Sequence, residues 1–250
     1  MDLVSQFKIL TRDGSCIKAA TDDIVIFLKA NPGREAELSA KIVTVLELVN
    51  RGAGKVGLSF DNDKAMLLLP KDWVQTDDAL LPPGLTVRSN TFADPSLRGI
   101  EVVGAPVGSA DFCSTFVQTT LNEMLLDAES LLELHPQCAT KILRDCLCPA
   151  PAYLAQVCHP NVTREYLAKF DDCVWRLWLR MLGGTHSEEL NCCQDVLGRS
   201  RMRAFLPCRL DGAGLRSWDR TASFAWYCSL ASCIARSDPD LEFCEKVHQE

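Results

Sequence analysis

Two adjacent carboxylates, Asp22 and Asp23, sit between apolar runs in AATDDIVIF, residues 19–27. Side chains alternate along a strand, so neighbouring acids do not both face a core. Like charges side by side repel, and a divalent cation relieves that repulsion. Carboxylates holding two Mg²⁺ ions can activate a 3′-hydroxyl and stabilise a departing pyrophosphate. The same pair also suits a solvated Asp-Asp turn, and spacing alone leaves both readings open. A second concentration of chemistry lies at residues 199–220. Arg199, Arg201, Arg203, Arg209, Arg216 and Arg220 stand there against Asp211 and Asp219, with Phe205 and Trp218 among them. Guanidinium groups pair with phosphates bidentately, and aromatic rings stack on bases. A solvated basic loop between helices is the alternative.

Cysteine is the other reactive type, and there are 13. Cys146-x-Cys148, Cys158-His159 and Cys192-Cys193 lack the paired spacings of structural zinc sites. The odd count and the apolar settings, as in KILRDCLCPA and WYCSLASC, argue against a disulfide framework. Reduced thiols packed as small hydrophobes are expected, and with them an intracellular protein, nuclear or cytoplasmic. The four histidines, His135, His159, His186 and His248, fall in loop-like or terminal segments and are expected to face solvent.

Positioning these groups requires two kinds of region. In the first, SCIKAA (15–20) and IVIFLKA (24–30) are β-prone runs joined by Thr21, Asp22 and Asp23, which predicts a tight hairpin. Leu38, Ile42, Val45, Leu46 and Val49 recur at steps of three and four, predicting a helix over 35–50 with Gly52 and Gly54 beyond its end. Runs at 56–60, 65–69 and 100–103 read as short strands. Residues 71–98 read as loop, broken by Pro82-Pro83-Gly84 and Asp94-Pro95. Ser109 is a candidate N-cap for the helix after it.

Beyond residue 110 the pattern turns helical. Segments 110–134, 136–146, 162–182, 187–197, 218–236 and 239–247 carry that spacing, with a short helix after Pro151. The predicted class is α+β, with a mixed region over 1–110 and an all-α region over 111–250. Hydrophobic residues make up 47% and charged residues 24%, with a net charge of −7, which are ordinary globular values. The acidity excludes a chain that is basic throughout, though not a local basic groove. No apolar run reaches the ~18 residues of a membrane span, and the N-terminus lacks a signal-peptide pattern, so no membrane partner is expected.

The order of motifs resembles the C-terminal half of a reverse-transcriptase palm, of the non-LTR (LINE-like) retrotransposon type, followed by its thumb. In that family a strand–(Tyr/Phe)-x-Asp-Asp–strand hairpin precedes an amphipathic helix, a G-L-x-L-N-x-x-K segment and an hLGxPIG strand. Asp22 and Asp23 match the acids. Gly57, Leu58 and Lys64 in GLSFDNDKAMLLLP match the next motif, and Gly104, Pro106 and Gly108 in GIEVVGAPVGSADF match the third. LPCRLDGAGLRS (206–217) is similar to the late LP-x-R-x-G-G-L-G-L-R-S segment. Ala20 stands where the family has its aromatic, and Asp61 where it has Asn.

The resemblance implies an RNA-directed DNA polymerase ancestry, with Asp22 and Asp23 catalytic and Mg²⁺-binding, and Lys64 neutralising a triphosphate. It also implies a partial palm-like sheet with its helix over 1–110 and a thumb-like helical domain over 111–250. Arg199, Arg201, Arg203, Arg209 and Arg216 of that domain would grip an RNA/DNA template–primer. Only 21 residues precede Asp22. The expectation is therefore a truncated or decayed element, without fingers or the first catalytic Asp, that binds Mg²⁺ weakly or not at all and is inactive alone. Strand edges and apolar side chains left uncovered, Ile24, Ile26, Val45 or Val49, would favour self-association. The alternative is a non-catalytic helical module that binds nucleic acid or a protein.

Overall fold

A computed structural model describes residues 16–20, 23–29, 34–55, 57, 61, 64–69, 85–183 and 194–236. The fold is α+β. The chain divides into two compact units, Met1–Phe112 and Cys113–Glu250.

In the first unit, β1 (Cys16–Ala20) and β2 (Asp23–Phe27) form the expected antiparallel hairpin. Ala20 pairs with Asp23, so Asp23 belongs to the strand and not to a three-residue connection. Helix α1 (Glu35–Lys55) follows, burying Leu38, Ile42, Val45, Leu48 and Val49 along one face. It runs through Gly52 and Gly54, which the sequence pattern places beyond its end. A helical Gly costs only about 1 kcal/mol relative to Ala, which the buried face can outweigh. The glycine past the end is Gly57, at φ +76°, with its N–H on the Gly54 carbonyl.

β3 (Met66–Leu69) pairs in parallel with β4 (Thr86–Ser89), a strand inside the segment that reads as loop. The run Thr-Val-Arg-Ser is short and flanked by breakers, which hides it. β5 (Gly99–Val102) and β6 (Ala105–Gly108) make a second antiparallel hairpin, closed by Val103 and Gly104 with positive φ of 51° and 75°. That pair of left-handed residues is the two-residue turn favoured by strand twist.

Helix α2 (Ala110–Leu125) is capped by Ser109, whose Oγ accepts from Phe112 N at 3.2 Å. A 3₁₀ turn at Ala128–Glu133 follows in place of further α-helix. The second unit then packs α3 (Pro136–Ile142), a π turn (Leu143–Leu147), α4 (Ala152–Val157), α5 (Pro160–Met181), α6 (Gln194–Ala204) and α7 (Trp218–Arg236). Its core includes Val117, Leu121, Leu143, Leu154, Leu167, Phe170, Val174 and Trp218. The exposed His135 and His159 act as helix caps. Their Nδ1 atoms accept from Gln137 N and Asn161 N at the starts of α3 and α5. The predicted segments 56–60 and 187–197 fall mostly outside the described residues, and 239–247 lies wholly outside them.

Of the apolar side chains expected to be uncovered in the first unit, Ile24 is exposed and Ile26 half-buried. Val45 and Val49 are buried on the packed face of α1.

Candidate functional site

The β1–β2 register pairs Cys16–Ala20 with Asp23–Phe27. Asp23 is the first residue of β2, paired with Ala20; Asp22 lies outside the described residues. No third strand joins this hairpin among the described residues. Lys64 projects into solvent, its side chain 85% exposed, and meets Asp61 at 3.5 Å. No group of three or more His, Cys, Asp or Glu among the described residues has metal-holding geometry. Asp22 lies outside that search, and an adjacent carboxylate pair is chemically suited to a hard cation such as Mg²⁺.

The matched glycines of β5–β6 have backbone reasons to be glycine. Gly104 occupies the left-handed turn. A Cβ on Gly108 would overlap the Arg98 carbonyl and the Gly99 Cα opposite, and one on Gly99 would overlap the Phe112 ring. Arg98 ties the neighbouring loop, donating to the Phe92 carbonyl at 2.7 Å and the Ala93 carbonyl at 3.0 Å, and pairing with Asp111 at 3.2 Å.

The arginines of 199–216 do not form one free positive field. Residues 199, 201 and 203 alternate sides of α6. Arg201 turns inward to Asp172 of α5 and lies over the Phe205 ring. Arg203 Nε donates to the Asp211 carbonyl at 3.2 Å, while much of its side chain and that of Arg199 stay exposed. Arg209 is exposed in the 3₁₀ turn Cys208–Leu210, and Arg216 lies 5.3 Å over the Trp218 ring. Arg199, Arg203, Arg209 and Arg216 are exposed, and Arg201 is half-buried.

The segment 206–217 is a locked connector between α6 and α7. Gly214 sits at φ +74°, and a Cβ there would press on Cys208 Sγ. A Cβ on Gly212 would overlap the Leu206 carbonyl, which itself accepts from Gly214 N at 2.9 Å. The connector delivers the start of α7 to a buried carboxylate that sequence reasoning missed. Asp171, 1% exposed, accepts from Trp218 N at 3.1 Å, Asp219 N at 3.0 Å and Ser217 Oγ at 2.8 Å. The two backbone N–H groups are orphan donors at a helix N-terminus, satisfied from a neighbouring helix. Burial pushes the Asp171 carboxyl above its ordinary range, against the lowering effect of the three donors. Trp218 Nε1 donates to the Cys148 carbonyl at 2.6 Å, and burial raises the Cys148 thiol to about 11. The signal was present: Asp171 falls on the same apolar stripe as Leu167, Phe170 and Val174.

Two open cavities flank this hub. One of about 590 Å³ is lined by residues including His159, Arg164, Asp219 and Tyr227, and one of about 310 Å³ by residues including Asp172, Arg201, Phe205 and Arg220. Arg164 faces Asp219 at 3.7 Å and Lys169 pairs with Glu165 at 2.7 Å, so the charges lining the larger cavity are largely compensated locally. Among the described residues, no helix is long and apolar enough to cross a membrane. Comparison with known proteins finds no matching family model, no matching curated protein and no matching solved structure.

Proposed function

We propose that the chain is a reverse-transcriptase-derived protein, of two-metal nucleotidyl-transfer ancestry, that binds nucleic acid and does not polymerise by itself. The observation that carries this reading is the β1–β2 register, with Ala20 opposite Asp23 at the start of β2. The order that follows supports it: a long amphipathic helix, then a glycine-tight hairpin, then a helical unit. Asp22 and Asp23 are the proposed catalytic acids of the ancestral reaction and the residues that would hold Mg²⁺. When bound there, Mg²⁺ supplies charge neutralisation and activation of a hydroxyl. Two carboxylates fill only part of its six-oxygen shell, so binding is weak. Ala20 is smaller than the aromatic the family carries there, a loss of packing volume that fits a site no longer used for catalysis.

Lys64, held by a solvent-exposed contact to Asp61, is proposed as a phosphate-neutralising residue. In the helical unit, Arg199, Arg203 and Arg209 are proposed to contact the phosphate backbone of an RNA/DNA template–primer. Arg201 and Arg216 serve that surface by positioning it. The site of action is intracellular, and the open edges of β1–β2 are a proposed route to self-association.

The test mixes the purified protein with an RNA template, a labelled DNA primer, Mg²⁺ and nucleotides. A complex at low salt with no primer extension is expected. Extension that disappears with Asp22→Ala would establish an active polymerase and overturn the second half of the proposal. Failure to form any complex would overturn the first.

A further inference from the structure

The smaller cavity beside the hub is walled by α5, by the end of α6 and by the start of α7. Its volume of about 310 Å³ lies at the small end of the range that ligand sites occupy. Its charged groups are unevenly matched. The Asp171 carboxylate is taken up by three donors from residues 217–219. Asp172 pairs with Arg201, and Asp219 faces Arg164. Arg220 lines the same cavity, is exposed, and has no hydrogen bond or ion pair among the described residues. Each carboxylate already has a partner, and one guanidinium does not.

The leftover group and its neighbours select the ligand. A guanidinium fork matches the oxygens of a phosphate or carboxylate. Beside it the wall is apolar and flat: Met202, half exposed, and the Phe205 ring with the Arg201 guanidinium over it. Thioether and guanidinium groups both pack against aromatic rings, so a planar group suits this wall. An acceptor stands there too. Asp172 Oδ1 takes the Arg201 bond, and no donor among the described residues reaches Oδ2. An acyl chain would leave that oxygen against hydrocarbon. A nucleobase brings amino N–H groups to it. An anion, a plane and an N–H donor within so small a volume describe a single nucleotide.

We propose that this cavity is a mononucleotide site, with the phosphate on Arg220, the base against Met202 and Phe205, and a base N–H donating to Asp172. Two sources carry that chemistry, a free nucleotide and the 5′-phosphorylated end of a strand. The site goes beyond the backbone-binding surface of Arg199, Arg203 and Arg209, none of which lines the cavity.

Calorimetry on the full 250-residue protein tests this with adenosine 5′-monophosphate, adenosine and inorganic phosphate. The monophosphate should bind with a Kd on the order of 100 µM, and the other two about tenfold more weakly, since each lacks one of the contacts. Arg220→Gln should weaken the monophosphate about tenfold and leave adenosine unchanged. Its side chain is exposed and unpaired, so the fold should be kept, which circular dichroism checks. A second arm compares an RNA oligonucleotide bearing a 5′-phosphate with its 5′-hydroxyl counterpart. A preference for the phosphate that Arg220→Gln removes assigns the site to a strand end. Equal binding of the two, with the monophosphate bound through Arg220, assigns it to a free nucleotide. Neither phosphorylated ligand binding, or binding that Arg220→Gln leaves unchanged, would overturn the proposal. So would inorganic phosphate that binds as tightly as the monophosphate. Loss of hybrid binding alone would overturn the nucleic-acid reading and leave this site standing.

Discussion

The helical unit and the N-terminal α/β unit bury their side chains in different ways. In the helical unit, apolar residues from α2, α4, α5 and α7 meet in one cluster, and two buried polar links cross it: Asp171 to residues 217–219, and Cys148 to Trp218. In the N-terminal unit, the buried apolar side chains are Leu69 and five residues of α1, among those described. Its described strands form three two-stranded sheets. A lone hairpin is marginal in water without a third strand or a helix to cover it. Among the described residues, the unit that carries the candidate acids thus shows a small buried face on one helix, and the unit that carries the arginines shows one apolar cluster crossed by buried polar links. This difference supports binding over catalysis, since two-metal chemistry demands fixed carboxylates while backbone binding tolerates looser placement.

Removing the buried hub should break the contrast most strongly. Asp171→Ala leaves two buried N–H groups and a hydroxyl without their acceptor. It should cost the helical unit about 3 kcal/mol. Four of the five tryptophans, Trp175, Trp178, Trp218 and Trp226, lie in that unit, so their fluorescence reports its unfolding. A loss below about 1 kcal/mol would show that the cap is incidental. The pH dependence has a definite sign. Burial raises the Asp171 pKa above its ordinary 3.8, so the folded state favours the protonated form. Its contribution is complete below pH 3.8 and declines as pH rises through the folded pKa. The advantage of the native protein over Asp171→Asn should accordingly be larger at acid pH than at neutral pH.

The counterpart in the N-terminal unit is Gly99→Ala, whose new Cβ would overlap the Phe112 ring. Shifting that ring should cost about 1–3 kcal/mol. Amide exchange across β5–β6 should accelerate while the tryptophan signal of the helical unit stays in place. Loss of both together would show that the units unfold as one.

Thiol labelling gives a finer readout. Burial raises both Cys148 and Cys158 to about 11, so at pH 8 these thiols are protonated as well as covered. Both should stay silent in the native protein, while the exposed Cys138, Cys146, Cys208 and Cys228 react. Reaction at Cys148 with the fold intact would mean that the Trp218 contact opens readily.

What the sequence made legible follows from periodicity. The stripe Leu167, Phe170, Val174, Trp175 announces α5, and the run of breakers around residue 110 marks the change from strands to helices. Local signals failed where tertiary structure decides. α1 continues through Gly52 and Gly54 because its buried face outweighs two weak helix formers. β4 and β6 are four-residue strands with too few positions to show alternation, and pairing defines them. The site was half legible. The acidic pair and the arginines stand out by type, but only packing shows that Arg201 belongs to Asp172 and Arg216 to Trp218.

That assignment makes the central claim measurable. Under the proposed function the chain grips nucleic-acid backbone through Arg199, Arg203 and Arg209, while Arg201 pairs with Asp172. The direct test is the affinity of the purified protein for an RNA–DNA hybrid, followed against salt. Binding should be sequence-independent and fall linearly on log–log axes, and Arg199→Ala with Arg203→Ala should flatten the slope by about two units at most. A native protein that binds no hybrid at low salt, or a slope that the double substitution leaves unchanged, would contradict the account.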